Sequence, residues 1–271
     1  MHINSVLQLA VIHTAYYFHP RIRFYSGQKI RTLLKTFLNT AGFIVLLSLF
    51  SFSPLPAPGI PENNKSFIDA APVNPFSPLY DKLNLDEQGL SQKAFDAACT
   101  GYQQLLEEKT IAEPGYLVIC DFSQSSKKKR FYLLDMAGEQ LVKQTYVAHG
   151  KNSGSEYATR FSNKPQSLQS SLGFYITRHT YYGQHGLSLR LDGLEKGFND
   201  KAMARNIVVH GADYIEEKWL QQNNSMGRSF GCPALPREES REIISLISDG
   251  SCLFIYHPAG NYLNNSKLLN D

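Results

Sequence analysis

The chain has 271 residues, of which 42% are hydrophobic and 12% aromatic, and its formal net charge is +3. That length and apolar content suffice for one sizeable core, with residues to spare for a leader. The near-neutral charge gives no reason to expect a nucleic-acid partner. Four cysteines in a chain of this length do not make a disulfide framework.

The first 53 residues predict an export signal or a membrane anchor. Residues 1–35 carry basic but no acidic side chains, and an uncharged apolar stretch follows from Phe37 to Phe52. This stretch is a little short for a membrane span, which needs roughly 17–25 residues. The basic flank predicts that the rest of the chain is exported, to the periplasm or cell envelope. Residues 37–53 are either removed with a signal or kept as an anchor, and both alternatives stay open.

A linker and a helix are expected next. Residues 54–84 are rich in proline, which favours an extended linker. In the lead-in segment, residues 85–110, apolar residues recur at helical spacing and Ser91 is a suitable cap. The spacing predicts an amphipathic helix over 91–108. We expect this helix to pack on the domain that follows it.

Residues 115–258 predict a mainly β domain, because short apolar runs alternate with turn residues. Short polar connections between the first three runs indicate an antiparallel meander. The basic run Lys127–Arg130 is expected to be a solvated hairpin turn, the polar stretch 149–165 a loop, and residues 259–271 a frayed polar tail. Strands are expected at 116–122, 130–135, 140–149, 172–177, 187–191, 207–209 and 251–256, with a turn at 181–186, loop or short helix at 193–205, and a helix over 236–247.

The chemistry is expected to centre on one histidine and one cysteine. His210 follows the apolar run Ile207–Val209, and Cys232 lies in a small-residue turn before the last predicted helix. A thiol becomes a useful nucleophile when a base or cation makes its thiolate accessible. We therefore expect Cys232 as the nucleophile and His210 as its base. Gly231 lets the backbone come close, so that its N–H and that of Cys232 could form an oxyanion hole.

Several sequence blocks around these two residues resemble one known family. They are HGKNSG (149–154), FSN (161–163), SSLGFY (170–175), YYGQHGLSLRLDGLEKGFND (181–200), VVHGADY (208–214) and GRSFGCPAL (227–235). Together they resemble the L,D-transpeptidase (YkuD-type) catalytic domain, in its branch of murein L,D-transpeptidase catalytic domain proteins. The resemblance implies a β-sandwich with a few peripheral helices. It also implies that Cys232 is acylated, that His210 is its base, and that the carbonyl of Gly211 orients the imidazole ring.

The remaining site residues are expected around this pair. Arg228 adds positive charge beside the thiol in sequence, and the other histidines, tyrosines and arginines of the similar blocks are candidates to contact the substrate. The expected oxyanion and substrate-binding residues are Gly231, Ser229, Arg228, His185, Arg190 and Tyr182.

Two departures from the commoner family motif affect the expected mechanism. That motif has a histidine directly before Gly-Cys, where this chain has Phe230, and an Arg or Asn two residues after the cysteine, where it has Ala234. The first departure leaves His210 alone to transfer protons. The second leaves the substrate carboxylate without its usual partner, and the candidates to replace it are Arg190, Arg205 and Arg228.

The resemblance implies acyl transfer on peptidoglycan stem peptides through a cysteine thioester, with no metal or cofactor. A second stem as acceptor gives a 3→3 cross-link, water gives L,D-carboxypeptidase activity, and a protein amine gives anchoring to the wall. The sequence does not choose between these acceptors, and it indicates no oligomeric state.

Three alternatives stay open from the residues alone. One is a metal site, for which familiar zinc spacings are missing; another is a peptidoglycan-binding module that lacks activity. Cys120 and Cys252 both fall in predicted strands, so they are either two buried thiols or a disulfide. The candidate metal ligands are His149, His179, His185, His210, Cys232 and His257.

Overall fold

The computed structural model describes residues 74–111, 113 and 115–270. The chain divides into two units at residue 65, and all described residues belong to the second. The predicted leader and most of the predicted linker therefore lie outside the described residues. Within the described part of the chain, no helix combines the length and apolarity that a membrane crossing needs.

Eight strands and six helices make up the described part. The strands are β1 (Tyr116–Asp121), β2 (Phe131–Asp135), β3 (Gln140–Thr145), β4 (Gly173–Gly183), β5 (Gly186–Gly193), β6 (Val208–Ala212), β7 (Ala234–Pro236) and β8 (Cys252–Tyr256). The helices are α1 (Ser77–Lys82), α2 (Gln92–Glu107), α3 (Glu217–Gln222), α4 (Arg237–Ile247), α5 (Gly260–Leu263) and α6 (Lys267–Asn270).

The strands form a single sheet in the order β3-β2-β1-β8-β4-β5-β6-β7. Its neighbours are antiparallel except for β1 with β8 and β6 with β7, which are parallel. The two edges meet, because Ala148, just beyond β3, bridges Ala234 of β7. A sheet that closes on itself in this way, with short helices outside it, confirms the predicted mainly β sandwich fold.

Two helices cover the sheet, and sequence patterning explains both. Ser91 caps α2 by accepting a hydrogen bond from Ala94 N at 3.2 Å. The buried face of α2 packs on β1 and β8. Its Gly101 lies against the ring of Phe174 on β4. Helix α4 begins after Pro236 with two acidic residues in its first turn, as the helix dipole favours. It packs against β6, the strand that carries His210.

Several predicted elements differ from the structure. The predicted turn at 181–186 is too long, because β4 runs to Gly183 and pairs with Gly186, so that only Gln184 and His185 form the hairpin tip. The end of the predicted linker is helical as α1, where Leu79 and Tyr80 are buried. The tail is not frayed, since α5 and α6 bury Tyr262 and Leu268. Buried Glu195 accepts hydrogen bonds from the Tyr262 and Ser266 hydroxyls and thereby holds this tail on the domain.

The prediction for the basic run is wrong at Arg130. Lys127, Lys128 and Lys129 lie on the surface, but Arg130 is fully buried. Its guanidinium donates to the Val147 carbonyl at 3.0 and 3.2 Å and to the Gln124 carbonyl at 2.7 Å. A buried guanidinium is tolerated when its N–H groups find acceptors, and here they find carbonyls that no strand uses.

Candidate active site

The parallel pairing of β6 with β7 sets the positions of the two expected reactive residues. His210 pairs with Ala234, which lies two residues after Cys232. Two residues of extended chain span roughly 7 Å, so the thiol-bearing residue lies close to β6, the strand that carries His210 in its middle. On the other side of β6, His210 pairs with Ser188 of β5. The predicted nucleophile and base therefore lie on neighbouring chain segments of one sheet.

Gly211 is required because α4 passes directly over it. A Cβ at this position would lie 2.4 Å from Ser240 Oγ and 3.2 Å from Arg237 Cα. Any larger residue would push α4 away from the strand. The close approach holds the backbone on either side of His210, and with it the carbonyl that contacts the imidazole.

The His210 ring is fixed in one tautomer. Its Nδ1 lies 3.1 Å from the carbonyl oxygen of Gly211, the contact that the resemblance implies. A carbonyl can only accept, so Nδ1 carries the proton and Nε2 is left with its lone pair. The side chain is only 3% exposed. Nε2 is therefore the nitrogen that can take up a proton.

Burial keeps His210 neutral. It lowers the pKa of His210 to about 4. The hydrogen bond to the Gly211 carbonyl raises this pKa, whereas electrostatic interaction with His185 and Arg237 lowers it further. His185 sits at the tip of the β4–β5 hairpin and stacks on His210, with ring centroids 4.2 Å apart. His185 was expected among the substrate-binding residues, and the structure places its ring on that of His210.

The turn that presents Cys232 is held by hydrogen bonds from Ser229 and Ser170. The Ser229 hydroxyl donates to the Cys232 carbonyl at 2.6 Å and accepts from Gly231 N at 3.0 Å. Ser170 Oγ donates to the Gly231 carbonyl at 3.2 Å. The Gly231 N–H, which was expected in an oxyanion hole, donates to Ser229 Oγ in this structure. Ser229 braces the turn.

Gly231 is needed where the turn meets the segment behind it. Its φ is +125°, in the region that favours glycine. A Cβ would lie 2.7 Å from the Gln169 carbonyl and 3.2 Å from an Arg205 Nη2. The glycine thus allows the nucleophile turn to approach an arginine side chain that sequence reasoning had only named as one candidate for the substrate carboxylate.

The Cys232 thiol is half-buried and protonated at rest. Its Sγ lies 3.7 Å from the carbonyl oxygen of Asn206 and donates a hydrogen bond to it. Burial raises the pKa of Cys232, whereas the Val208 N–H, the charge of Arg205 and its own N–H oppose that rise. Arg205 is thus the cation that acts on the thiol. Arg228, expected in that role, is exposed and donates instead to the Gly154 carbonyl at 2.9 Å.

The Cys232 thiol and the His210 imidazole, on neighbouring chain segments, are both neutral. No described residue joins the two by a hydrogen bond, and Sγ contacts Asn206. A thiol with a raised pKa and a base with a lowered one do not form a standing ion pair. Such a pair suits a reaction in which the proton leaves Sγ as the thiol attacks a bound electrophile.

Arg190 and Tyr182 lie at the edge of this face. Arg190 pairs with Val208, two residues from His210, so the two side chains lie on the same side of the sheet. Its guanidinium stacks on the Tyr181 ring, 4.6 Å from the centroid, and has no acidic partner among the described residues. Tyr182 is 75% exposed at the hairpin tip.

Phe230 does not cover the thiol. It is 66% exposed, and the Lys151 ammonium lies 4.7 Å from its ring centroid. The residue that stands at the usual position of a second histidine is thus an exposed aromatic ring in contact with a lysine.

A buried pair supports the nucleophile turn from behind, and sequence reasoning missed it. An Nη2 of Arg130 donates to His149 Nδ1 at 2.7 Å. Burial and the Arg130 charge lower the pKa of His149 to about 3, so this histidine stays neutral. The His149 carbonyl accepts from Ser229 N at 3.0 Å. His149 therefore lies beneath the turn, and it is fully buried where a groove-lining role had been one expectation.

The other cysteines are buried free thiols. Cys120 and Cys252 lie on adjacent parallel strands, but Cys252 pairs with Leu117, three residues from Cys120. Three residues of strand amount to about 10 Å, beyond the reach of a disulfide. Burial raises the pKa of all three thiols, that of Cys99 to about 12. In the described part of the chain, no three His, Cys, Asp or Glu residues come together as metal ligands would.

Comparison with known proteins gives one family match. The model of the L,D-transpeptidase catalytic domain family matches residues 86–256. A solved L,D-transpeptidase from Mycobacterium smegmatis is 12% identical, with a TM-score of 0.32, over 52% of this chain and 58% of that one. An L,D-transpeptidase from Mycobacterium tuberculosis H37Rv is 14% identical, with a TM-score of 0.31, over 53% of this chain and 58% of that one. Bdellovibrio bacteriovorus Bd1075 is 13% identical, with a TM-score of 0.34, over 55% of this chain and 49% of that one.

The chain spans less than two thirds of the length of these three solved proteins. No curated protein sequence matches it.

The site predicts an unusually acidic titration for one histidine. In a histidine-resolved NMR titration, we expect His210 to titrate near pH 4, well below the roughly 6.5 of an unperturbed histidine side chain. Because the folded pKa of His210 is lowered, folding stability should fall as pH drops from about 6.5 towards 4, where the unfolded chain binds the extra proton. His185→Ala should raise the His210 pKa. A His210 titration near 6.5 would contradict the buried, Gly211-bound geometry.

Proposed function

The chain belongs to the L,D-transpeptidase catalytic domain family, and on that premise we propose that it is a cysteine acyltransferase acting on peptidoglycan stem peptides. One observation carries the proposal. A half-exposed thiol on the nucleophile turn lies beside the strand whose histidine is locked in the tautomer that leaves Nε2 free. Cys232 is the nucleophile and His210 the general base.

The reaction begins with a protonated thiol. Sγ of Cys232 attacks the carbonyl carbon between the third stem residue and the terminal D-Ala, and its proton passes to Nε2 of His210. The tetrahedral intermediate collapses as the C–N bond breaks, and His210 returns the proton to the leaving amine. A thioester on Cys232 and free D-Ala result. Gly211 accepts from Nδ1 throughout, which stabilises the imidazolium that forms transiently.

The second half-reaction depends on the acceptor. The side-chain amine of a second stem attacks the thioester, His210 takes the amine proton, and the thiol is regenerated with a 3→3 cross-link formed. Water in place of the amine gives L,D-carboxypeptidase activity, and a protein amine gives attachment to the wall. The steps up to the thioester are the same for all three acceptors, so acylation tests the shared part of the proposal.

Arg190 is our choice for the group that binds the terminal carboxylate of the tetrapeptide. Of the three candidate arginines, Arg228 is turned towards the 151–154 loop and Arg205 has four neutral acceptors. Arg190 has only the Tyr181 ring, on the face that carries His210. A half-buried guanidinium with unused donors suits a bidentate carboxylate.

We also propose that the protein works outside the cytoplasm, in the periplasm or cell envelope, with residues 37–53 either removed as a signal or kept as an anchor. The charge asymmetry around the apolar stretch supports this, as does a substrate that lies outside the membrane. Cell fractionation tests it: recovery of the full chain in the cytosolic fraction alone would contradict it.

Acylation of Cys232 is the direct test of the nucleophile and base. A carbapenem should add its whole mass to Cys232, because the thiol opens the strained lactam and the ring nitrogen keeps the proton. Cys232→Ala should show no adduct by intact-protein mass spectrometry. His210→Ala should acylate about 2–4 orders of magnitude more slowly.

The matched control is His179→Ala, which removes an exposed histidine from β4. Its acylation rate should equal that of the unaltered chain. A folded protein that forms no adduct would favour a binding module without activity, and an unchanged rate in His210→Ala would show that the base is wrongly assigned.

Arg190 makes a separate prediction about substrate choice. For acylation by a stem tetrapeptide, Arg190→Gln should lower kcat/KM roughly 10–100-fold, as expected for loss of a hydrogen-bonded charge. The same substitution should leave kcat/KM nearly unchanged for a tetrapeptide whose C-terminus is amidated, since that substrate lacks the charge. Equal losses with both substrates would mean that Arg190 does not bind the carboxylate.

A further inference from the structure

We propose that Arg205 is the positioning residue that stabilises the negative charge of the Cys232 thiolate from beneath the nucleophile turn. This inference rests on the proposed function only in naming Cys232 as the nucleophile. It concerns the ionisation of the thiol, which can be measured without any peptidoglycan substrate.

Arg205 is held by neutral groups alone. It lies in the segment before β6, and its Nη1 donates to the Ser162 carbonyl at 2.8 Å and to Ser171 Oγ at 3.1 Å. Its Nη2 donates to Ser167 Oγ and to the Gln169 carbonyl. No carboxylate within the described ranges forms an ion pair with it. A half-buried cation without a counter-ion is costly, and an anion that forms beside it is favoured.

The thiol is the group beside Arg205 that can become that anion. The turn can approach the Arg205 guanidinium because Gly231 has no Cβ. A Cβ there would lie 3.2 Å from Nη2 of Arg205. Asn206, the residue after Arg205, supplies the carbonyl that lies 3.7 Å from Sγ. The guanidinium and the nucleophile turn are therefore packed against each other, and the fork of four acceptors prevents Arg205 from turning away.

Two titratable groups near the thiol, His210 and Tyr214, are uncharged near neutral pH. His210 on β6 has a pKa of about 4, and burial raises the pKa of Tyr214, after β6, to about 12. His185 stacks on the far side of the β6 site, on His210. Arg228 precedes the turn but points to the loop carbonyls. Arg205 is thus the fixed charge, in the described structure, that lowers the pKa of Cys232 against the rise caused by burial.

The structure accordingly assigns different tasks to the two basic residues. His210 moves the proton, and Arg205 stabilises the charge left on sulfur while the thiol attacks and again when the thioester breaks. Because position 230 holds phenylalanine where the commoner family motif has a second histidine, that position brings no cation to the sulfur.

The test is the pH profile of alkylation by iodoacetamide, followed by intact-protein mass spectrometry on the full chain. The thiolate displaces iodide, and the rate rises through the thiol pKa. Only Cys232 should react in the folded protein, because the other three thiols are buried. Arg205→Gln should move the midpoint up by about one pH unit or more, as loss of an opposite charge does. Arg160→Gln, which removes an exposed arginine bound to a loop carbonyl, should leave it unchanged.

Arg205→Lys separates charge from structural support. It keeps the charge but cannot bridge four acceptors, so a midpoint near that of the unaltered chain supports the proposal. The inference is overturned by folded Arg205→Gln protein with an unchanged midpoint. If Arg205→Gln does not fold, a full-unit rise in folded Arg205→Lys overturns it instead. A shifted midpoint in a protein that never acylates with tetrapeptide would reject the proposed function and leave this inference standing.

Discussion

The parallel pairing of β6 with β7 is the constraint on which the site depends. It sets His210 beside Ala234 and so brings the preceding Cys232 next to the strand that carries the base. Gly211 makes this pairing compatible with the helix above, because α4 passes too close for any side chain there. The same close packing fixes the Gly211 carbonyl that selects the histidine tautomer. Position and protonation state thus come from one piece of backbone packing.

Burial decides the chemistry of the pair. It favours the uncharged form of both groups, raising the pKa of Cys232 and lowering that of His210. The resting site therefore holds a neutral thiol and a neutral imidazole, and in the proposed reaction their charges separate when an electrophile is bound. Arg205, held by carbonyls and hydroxyls rather than by a carboxylate, keeps its charge available for the sulfur.

Local signals in the sequence were enough for the elements with a clear period or a clear cap. Ser91 at the start of α2 and the acidic first turn of α4 are examples. Strand β7 was missed because three residues, one of them proline, have no readable period, and the strand exists only through its partners. The position of Cys232 relative to His210 follows from that strand, so the sequence supported the pair but not its geometry.

The charged residues show the same limit. Arg130 belongs to a basic run, and such runs are usually solvated. Its guanidinium is nevertheless buried and donates to the carbonyl of Val147, 17 residues further along the chain. Arg205 was one of three equivalent arginines in sequence, and the groups that hold it are 34 to 43 residues away. The stacking of His185 on His210 depends on how far strands β4 and β5 extend into the predicted turn. Long-range contacts of this kind leave no local pattern to read.

The measurement that tests the central claim most directly is muropeptide analysis. Isolated peptidoglycan rich in tetrapeptide stems would be incubated with the purified full chain in detergent, digested and separated. The account predicts release of D-Ala, with 3→3 cross-linked products or tripeptides according to the acceptor, and none of these with Cys232→Ala. An unchanged muropeptide profile, from a preparation in which iodoacetamide still labels Cys232 alone, would contradict it.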